Sequence, residues 1–203
     1  METAVATPVK GRPREFCVDQ ALTAALRVFW TKGFEGASLT DLTEAMGITR
    51  PSLYAAFGNK ETLFRKALDL YDREKLAYVG HALQAPTARG VAERLLRGAL
   101  EMQTSTSSPK GCLGVMAQVA CGEYAASVKQ EVLARRAATE QALIARFERA
   151  VDDGDLPPGV EPLGLAHLVF AIMQGMAVQA SSGASPEDLR RLIDTSLKVW
   201  PGR

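Results

Sequence analysis

The chain predicts an all-α protein of about nine helices, and three observations carry that expectation. Apolar residues recur at helical rather than alternating spacing through almost every segment. Ser, Thr and Asn stand just ahead of these periodic stretches, where helix N-caps belong, and glycines or prolines close them. No internal repeat is visible. With 203 residues, 47% of them hydrophobic, the chain is long enough for one large or two small domains. A formal net charge of +1 identifies no partner, so the distribution of charge has to be read instead. Cys17, Cys112 and Cys121, with His81 and His167, are too scattered for a disulfide framework or a zinc site. No metal or cofactor is expected, and a reducing cytoplasm fits best.

Residues 1–14 read as a flexible basic arm carrying Lys10, Arg12 and Arg14, without the apolar run of a signal peptide. The first helix, Val18 to Lys32, aligns Leu22, Ala25, Leu26 and Phe29 on one face and stops at Gly33 in a Schellman-type end. Ser38 and Asp41 have capping-box spacing before a short second helix with Leu39, Leu42 and Met46 apolar, and Gly47 supplies the positive φ of the turn. Thr49 caps a third helix that opens on Arg50 and Pro51, where the missing proline N–H has no intrahelical partner to lose. Leu53 and Phe57 point inward, leaving Arg50, Ser52 and Tyr54 on other faces. Asn59 then caps a long helix over Lys60 to Leu83, striped by Leu63, Phe64, Ala67, Leu68 and Tyr71.

Further helices are expected over Thr87 to Gln103, Cys112 to Gly122 and Ala125 to Asp152, with the polar loop "TSTSSPKG" the least helical segment between them. Pro162 to Pro186 carries no formal charge, and a helix apolar nearly all round is either buried or in lipid. His167, Gln174, Gln179 and the serines favour burial between partner helices over a membrane span. The last helix begins at Ser185 and Pro186 with Asp188 completing a capping box, and Leu189, Leu192, Ile193, Leu197 and Trp200 form its stripe.

"LTDLTEAMGITRPSLYAAF" has the layout of a helix-turn-helix, whose second helix enters the major groove with its N-terminal residues toward the bases. Arg50 can donate two hydrogen bonds to a guanine, and Ser52 and Tyr54 can reach phosphates or base edges. Lys60 sits badly for the helix macrodipole, a conflict that a bound phosphate would resolve.

On these residues, the stretch from Gly11 to about Tyr71 resembles the homeodomain-like N-terminal DNA-binding domain of the tetracycline-repressor (TetR) family of bacterial transcriptional regulators. "ALRVFWTKGFEGASLTDLTEAMGITRPSLYAAFGNKETLF" carries the resemblance through its Phe-x-x-x-Gly-Phe helix end, turn glycine and Leu-Tyr-x-x-Phe-x-x-Lys-Glu run. The resemblance implies a three-helix DNA-binding domain over 15–60 and a helical effector-binding and dimerisation domain over 61–203, joined by the helix at 60–83. It implies a double-stranded DNA operator, near-palindromic, a second copy of the chain, and a small-molecule effector. Ser38 and Thr40 would meet the DNA backbone, Arg50, Ser52 and Tyr54 the groove, and Lys60 a phosphate, with Thr49 also counted among the DNA-binding residues. Ala56 departs from the family, where many relatives have a histidine or aromatic residue. The basic arm is expected to compensate from the adjacent minor groove.

In the second half, "KGCLGVMAQVACGE" and the C-terminal run are also similar to the family. Met102, Met116, Phe170, Met173 and Gln174 are candidate effector-pocket residues, since methionine adapts to varied apolar ligands. Leu168, Ile172, Leu189, Leu192, Ile193 and Trp200 are candidates for the dimer interface, in which the last two helices pair with their twofold mates as a four-helix bundle. Ordinary core packing is the alternative for every methionine among them. A thiol-based sensor using Cys112 or Cys121 is the second functional reading. An enzyme has no nucleophile elbow, metal cluster or phosphate-cradling loop to support it, and a purely protein-binding adaptor would show no salt-dependent DNA affinity.

Overall fold

The computed structural model describes residues 16–120 and 125–202. Among the described residues there are ten helices and no strand: α1 Val18–Gly36, α2 Leu39–Met46, α3 Arg50–Phe57, α4 Lys60–Lys75, α5 Ala77–Leu83, α6 Ala88–Thr104, α7 Leu113–Ala120, α8 Ala126–Asp152, α9 Pro162–Ser181 and α10 Pro186–Lys198. The capping chemistry is as the residues dictate. Ser38 and Asp41 form a reciprocal capping box at α2, and Thr49, Asn59, Thr87 and Ser185 each accept a backbone N–H at the start of α3, α4, α6 and α10. Gly47 adopts the left-handed conformation that turns α2 into α3. At Gly33, φ 71° and ψ 177° break the helical run as expected, but the angles are not those of a Schellman end, and one more turn follows to Gly36.

The expected long helix over 60–83 is two helices. Leu76 leaves helical geometry at φ −102° and ψ 5°, with its N–H reaching back to the Tyr71 carbonyl. The break lets α5 lie on α6, where Gly98 meets the ring of Tyr78 so closely that any Cβ there would run into the ring. Gly98→Ala is therefore expected to destabilise the protein by about 1–3 kcal/mol despite alanine's better helix propensity, as measured by urea unfolding. Unchanged or raised stability would show that Tyr78 yields without cost.

Two apolar clusters organise the chain. The first joins α1 to α4 around Phe29, Phe64, Leu42 and Leu53, and continues into Leu113 of α7 and Val128 and Val132 of α8. Phe64 stands edge-on to Phe29 at 5.0 Å and to Phe34 at 5.2 Å. The second cluster packs α5, α6, α8, α9 and α10, with Phe147, Leu143, Met176 and Leu189 fully buried. Among the described residues α9 is the one helix long and apolar enough to cross a membrane. Leu165, Ala166, Val169, Met176, Ala177 and Ala180 bury one side of it in the protein.

This packing corrects half of the expected dimer residues. Leu189 and Ile193 are 0% exposed and Trp200 8%, all facing inward onto the second cluster, with Trp200 5.8 Å from the ring of Phe147. The stripe of α10 closes the protomer's own core, so these three side chains have no surface left for a second copy. Leu192 and Ile172 are half-buried, and Leu168 remains 47% exposed.

Candidate functional site

The head of α3 is built to be presented. Leu53 and Phe57 anchor the helix in the first cluster, and Pro51 occupies a first-turn position where no hydrogen bond is lost. That leaves Arg50 exposed and Tyr54 49% exposed, an unusual place for an aromatic side chain. Arg50 is also positioned: its guanidinium donates to the Thr40 hydroxyl at 3.0 Å, tying the recognition position on α3 to the outer face of α2. The hydroxyls of Thr49 and Ser52 lie 3.0 Å apart beside it. Thr40, Thr49, Arg50, Ser52 and Tyr54 thus converge on one surface.

Ser38 and Lys60 are differently employed. The Ser38 hydroxyl donates to the Asp41 carboxylate at 2.8 Å and accepts the Asp41 N–H, so its first role is the cap of α2. Lys60 turns its ammonium over the Phe34 ring, 4.7 Å from the centroid, and reaches the Glu35 carbonyl at 3.5 Å. These contacts at the end of α1 ease its conflict with the α4 dipole, and burial lowers its pKa. Ala56 is half-buried against the first cluster, a packing position more than a surface one. Lys10, Arg12 and Arg14 lie outside the described residues, as does Cys121.

Asp41 combines the cap with an ion pair to Lys32. The Lys32 hydrogen bond, then those from Ser38, pull its pKa from 3.8 down to about 2. A carboxylate depressed on folding stabilises the fold above its unfolded pKa and loses that effect as pH falls through the folded value. The thermal midpoint of wild type should exceed that of Asp41→Asn by a constant margin near neutrality, and the margin should close between about pH 4 and pH 2. A margin independent of pH would remove the carboxylate from the cap.

Behind this surface lies a cavity of about 350 Å³ between α4, α6, α8 and α9. Met102, Phe170, Met173 and Gln174 line it as expected, whereas Met116 does not; α7 contributes Gly114 and Val115 instead. The sequence reading missed Tyr71, Gln103, Cys112 and Arg135 on the same wall. Arg135 holds Asp69, Asp72 and Glu131 together, joining α4 to α8. The Tyr71 hydroxyl donates to the Cys112 sulfur at 3.3 Å, and burial pushes the phenol pKa well up. On its other side the Tyr71 ring stands edge-on to Trp30 of α1 at 4.8 Å, and the Trp30 indole N–H donates to the Gly111 carbonyl at 3.2 Å. Gly111, at φ 84°, is in turn pressed against α9, where a Cβ would lie 3.1 Å from the Ala177 carbonyl. The cavity wall and α1 are therefore one packed structure. Among the described residues, no group of His, Cys, Asp and Glu could hold a metal ion.

Comparison with known proteins agrees with this geometry. Residues 21–67 match the family described as bacterial regulatory proteins, tetR family, and residues 92–196 match the tetracyclin repressor-like C-terminal domain. The chain belongs to the TetR family of transcriptional regulators. It is 32% identical over 194 residues to the HTH-type transcriptional repressor ComR of Escherichia coli K12, covering 95% of this chain and 92% of that one. A 38% identity over 116 residues to BdcR of the same organism spans 57% of this chain and 58% of that repressor. A solved structure of the regulator CifR, a cysteine mutant complexed with 26-base-pair double-strand operator DNA, is 40% identical with a TM-score of 0.88, covering 94% of this chain and all of that one. This TetR-family chain is thus a DNA-binding transcriptional regulator and not an enzyme.

Proposed function

We propose that the protein is a homodimeric repressor that occupies a near-palindromic operator and leaves it when a small molecule enters the cavity. The observation that carries this reading is the shared wall: Tyr71 and Cys112 face the cavity, while Tyr71 and Gly111 hold Trp30 of α1. A ligand that shifts Tyr71 or the loop before α7 shifts α1 with it. The effect is a population shift, so the ligand must bind the DNA-incompetent form better than the competent one; couplings of this kind typically change affinity about 5–150-fold. Arg50, Ser52 and Tyr54 read the groove, Thr40 and Thr49 flank the backbone, and the arm of Lys10, Arg12 and Arg14 follows the adjacent groove. Ser38 and Lys60 are assigned to the fold first.

The second copy is supported by α9. Its exposed side carries Gly164, Leu168, Ala171 and Val178, with half-buried Gly175 in the same stripe, and no charged residue interrupts it. Paired about a twofold axis, this face gives an isologous interface and sets two recognition helices about one DNA turn apart, roughly 34–36 Å. Such a protein works in the cytoplasm, at the nucleoid.

Selection of bound sites from random DNA tests the reading, followed by a screen for molecules that release the selected site. Palindromic enrichment and a steep fall of affinity with salt are expected; enrichment of no common site would sink it. Trp30→Phe keeps an aromatic ring, though a smaller one, but removes the indole N–H, and is expected to weaken ligand-driven release several-fold while operator affinity without ligand holds. Unaltered release would show that coupling runs elsewhere.

A second reading rests on Cys112, whose half-buried thiol lines the cavity and accepts from Tyr71. Oxidation or alkylation there would disturb the same wall. Full alkylation with unchanged operator affinity disposes of it.

A further inference from the structure

On the cavity wall, Gln103 carries a polar atom whose needs the protein does not meet. Gln103, in the last turn of α6, is 2% exposed, and its side-chain N–H donates to the Met173 carbonyl of α9 at 3.4 Å. That bond fixes the orientation of the amide, since the reverse assignment would set two oxygens against each other. Its carbonyl oxygen, Oε1, is left buried with no hydrogen-bond partner. A buried acceptor without a donor is costly, and here it belongs to a residue that lines an empty space large enough for a small molecule.

The rest of the wall restricts what that molecule can be. Asp72 and Arg135 neutralise each other within the cluster that also includes Asp69 and Glu131, and Arg136 stacks over the Phe170 ring, 5.8 Å from its centroid. Tyr71 and Tyr78 stay protonated because burial raises both phenols. The remaining wall is apolar and adaptable, from Leu68, Met102, Val132 and Met173. At about 350 Å³ the space is near the lower end of ligand pockets, roughly 300–1,000 Å³.

Resting on the effector reading above, we infer that the cavity takes a compact, uncharged, mainly apolar molecule with one hydroxyl or N–H donor, which it gives to Gln103 Oε1. The donor supplies the bond that α6 lacks, and the apolar body fills the space between the methionines and Phe170. Because Gln103 already ties α6 to α9, a ligand bonded to it bears on both helices at once.

A matched series tests the chemistry directly: phenol, its methyl ether anisole, and benzoate, each titrated calorimetrically into the full-length protein. Phenol is expected to bind at least about tenfold more tightly than anisole, and benzoate more weakly than phenol. In Gln103→Leu, of similar volume, the phenol preference should collapse to within about twofold while anisole still binds. Equal affinity of phenol and anisole in wild type overturns the inference, as does tighter binding of benzoate or no binding of any of the three at millimolar concentration. A phenol preference that survives in Gln103→Leu also overturns it. The comparison within wild type does not depend on the variant folding. Operator release is scored separately: the expected binding pattern without release supports this ligand class and removes the effector reading, whereas release by benzoate alone keeps an effector and overturns the class.

Discussion

Ala171→Glu is expected to give a well-folded monomer whose operator affinity is lower by about two to four orders of magnitude. Ala171 is exposed on α9, in line with Gly164, Leu168 and Val178, so a longer side chain there starts from an exposed position. In an isologous interface the same residue approaches its own symmetry mate or lies near the axis, so one substitution sets two carboxylates into one apolar contact. Neither can be solvated there, and like charges repel. The loss at the operator follows from linkage. Two half-sites bound by one dimer gain an effective concentration that two separate monomers lack, and about 10²–10⁴ in avidity goes with it. Sedimentation and operator titration measure the two effects, while circular dichroism checks the fold. Gly175 offers an independent position, because a Cβ there has no neighbour within 4 Å in the protomer. A dimer that persists in both Ala171→Glu and Gly175→Glu would place the interface on another face.

How much of this was legible in the sequence depended on how local the cause was. Ser38, Thr49, Asn59 and Ser185 cap helices through contacts within a few residues, and each was readable from type and spacing; Thr87, read as the first residue of its helix, is the cap just ahead of it. The turn at Gly47 is equally local. The break at Leu76 was not readable, because its cause is the fit of Tyr78 onto Gly98 of another helix. Periodicity located the apolar face of α10 correctly but could not say what covers it. Leu189, Ile193 and Trp200 found α6, α9 and Phe147 of their own chain instead of a second copy. In α9, apolar nearly all round, periodicity is silent about which side faces outward. The contact of Lys60 was hidden for a similar reason: the Phe34 ring beneath its ammonium belongs to a different helix. Gln103 did leave a trace, as a polar residue in line with the apolar positions Leu96 and Ala99 of α6.

Arg50→Ala is expected to leave the fold intact and to cost the dimer about 2–6 kcal/mol of preference for operator over scrambled DNA, counting one contact of roughly 1–3 kcal/mol in each half-site. The side chain is exposed, and among the described residues it bonds to the Thr40 hydroxyl alone, so folding loses little. What is lost is a donor fork aimed from the head of α3. The pattern of the loss distinguishes two roles. An arginine on a base edge gives specificity, so its removal brings operator and scrambled affinities together with little change in salt dependence. An arginine on a phosphate would instead weaken both DNAs alike and reduce the salt slope by about one. Thr40→Val refines the test by leaving the arginine in place without its hydroxyl tether. It should cost less than Arg50→Ala, because the guanidinium loses its pre-set orientation but keeps its donors. Competition titrations with operator and scrambled duplexes at three salt concentrations separate these outcomes. Identical affinities for wild type and Arg50→Ala on both DNAs would move base reading away from the head of α3, to Tyr54 or to the arm.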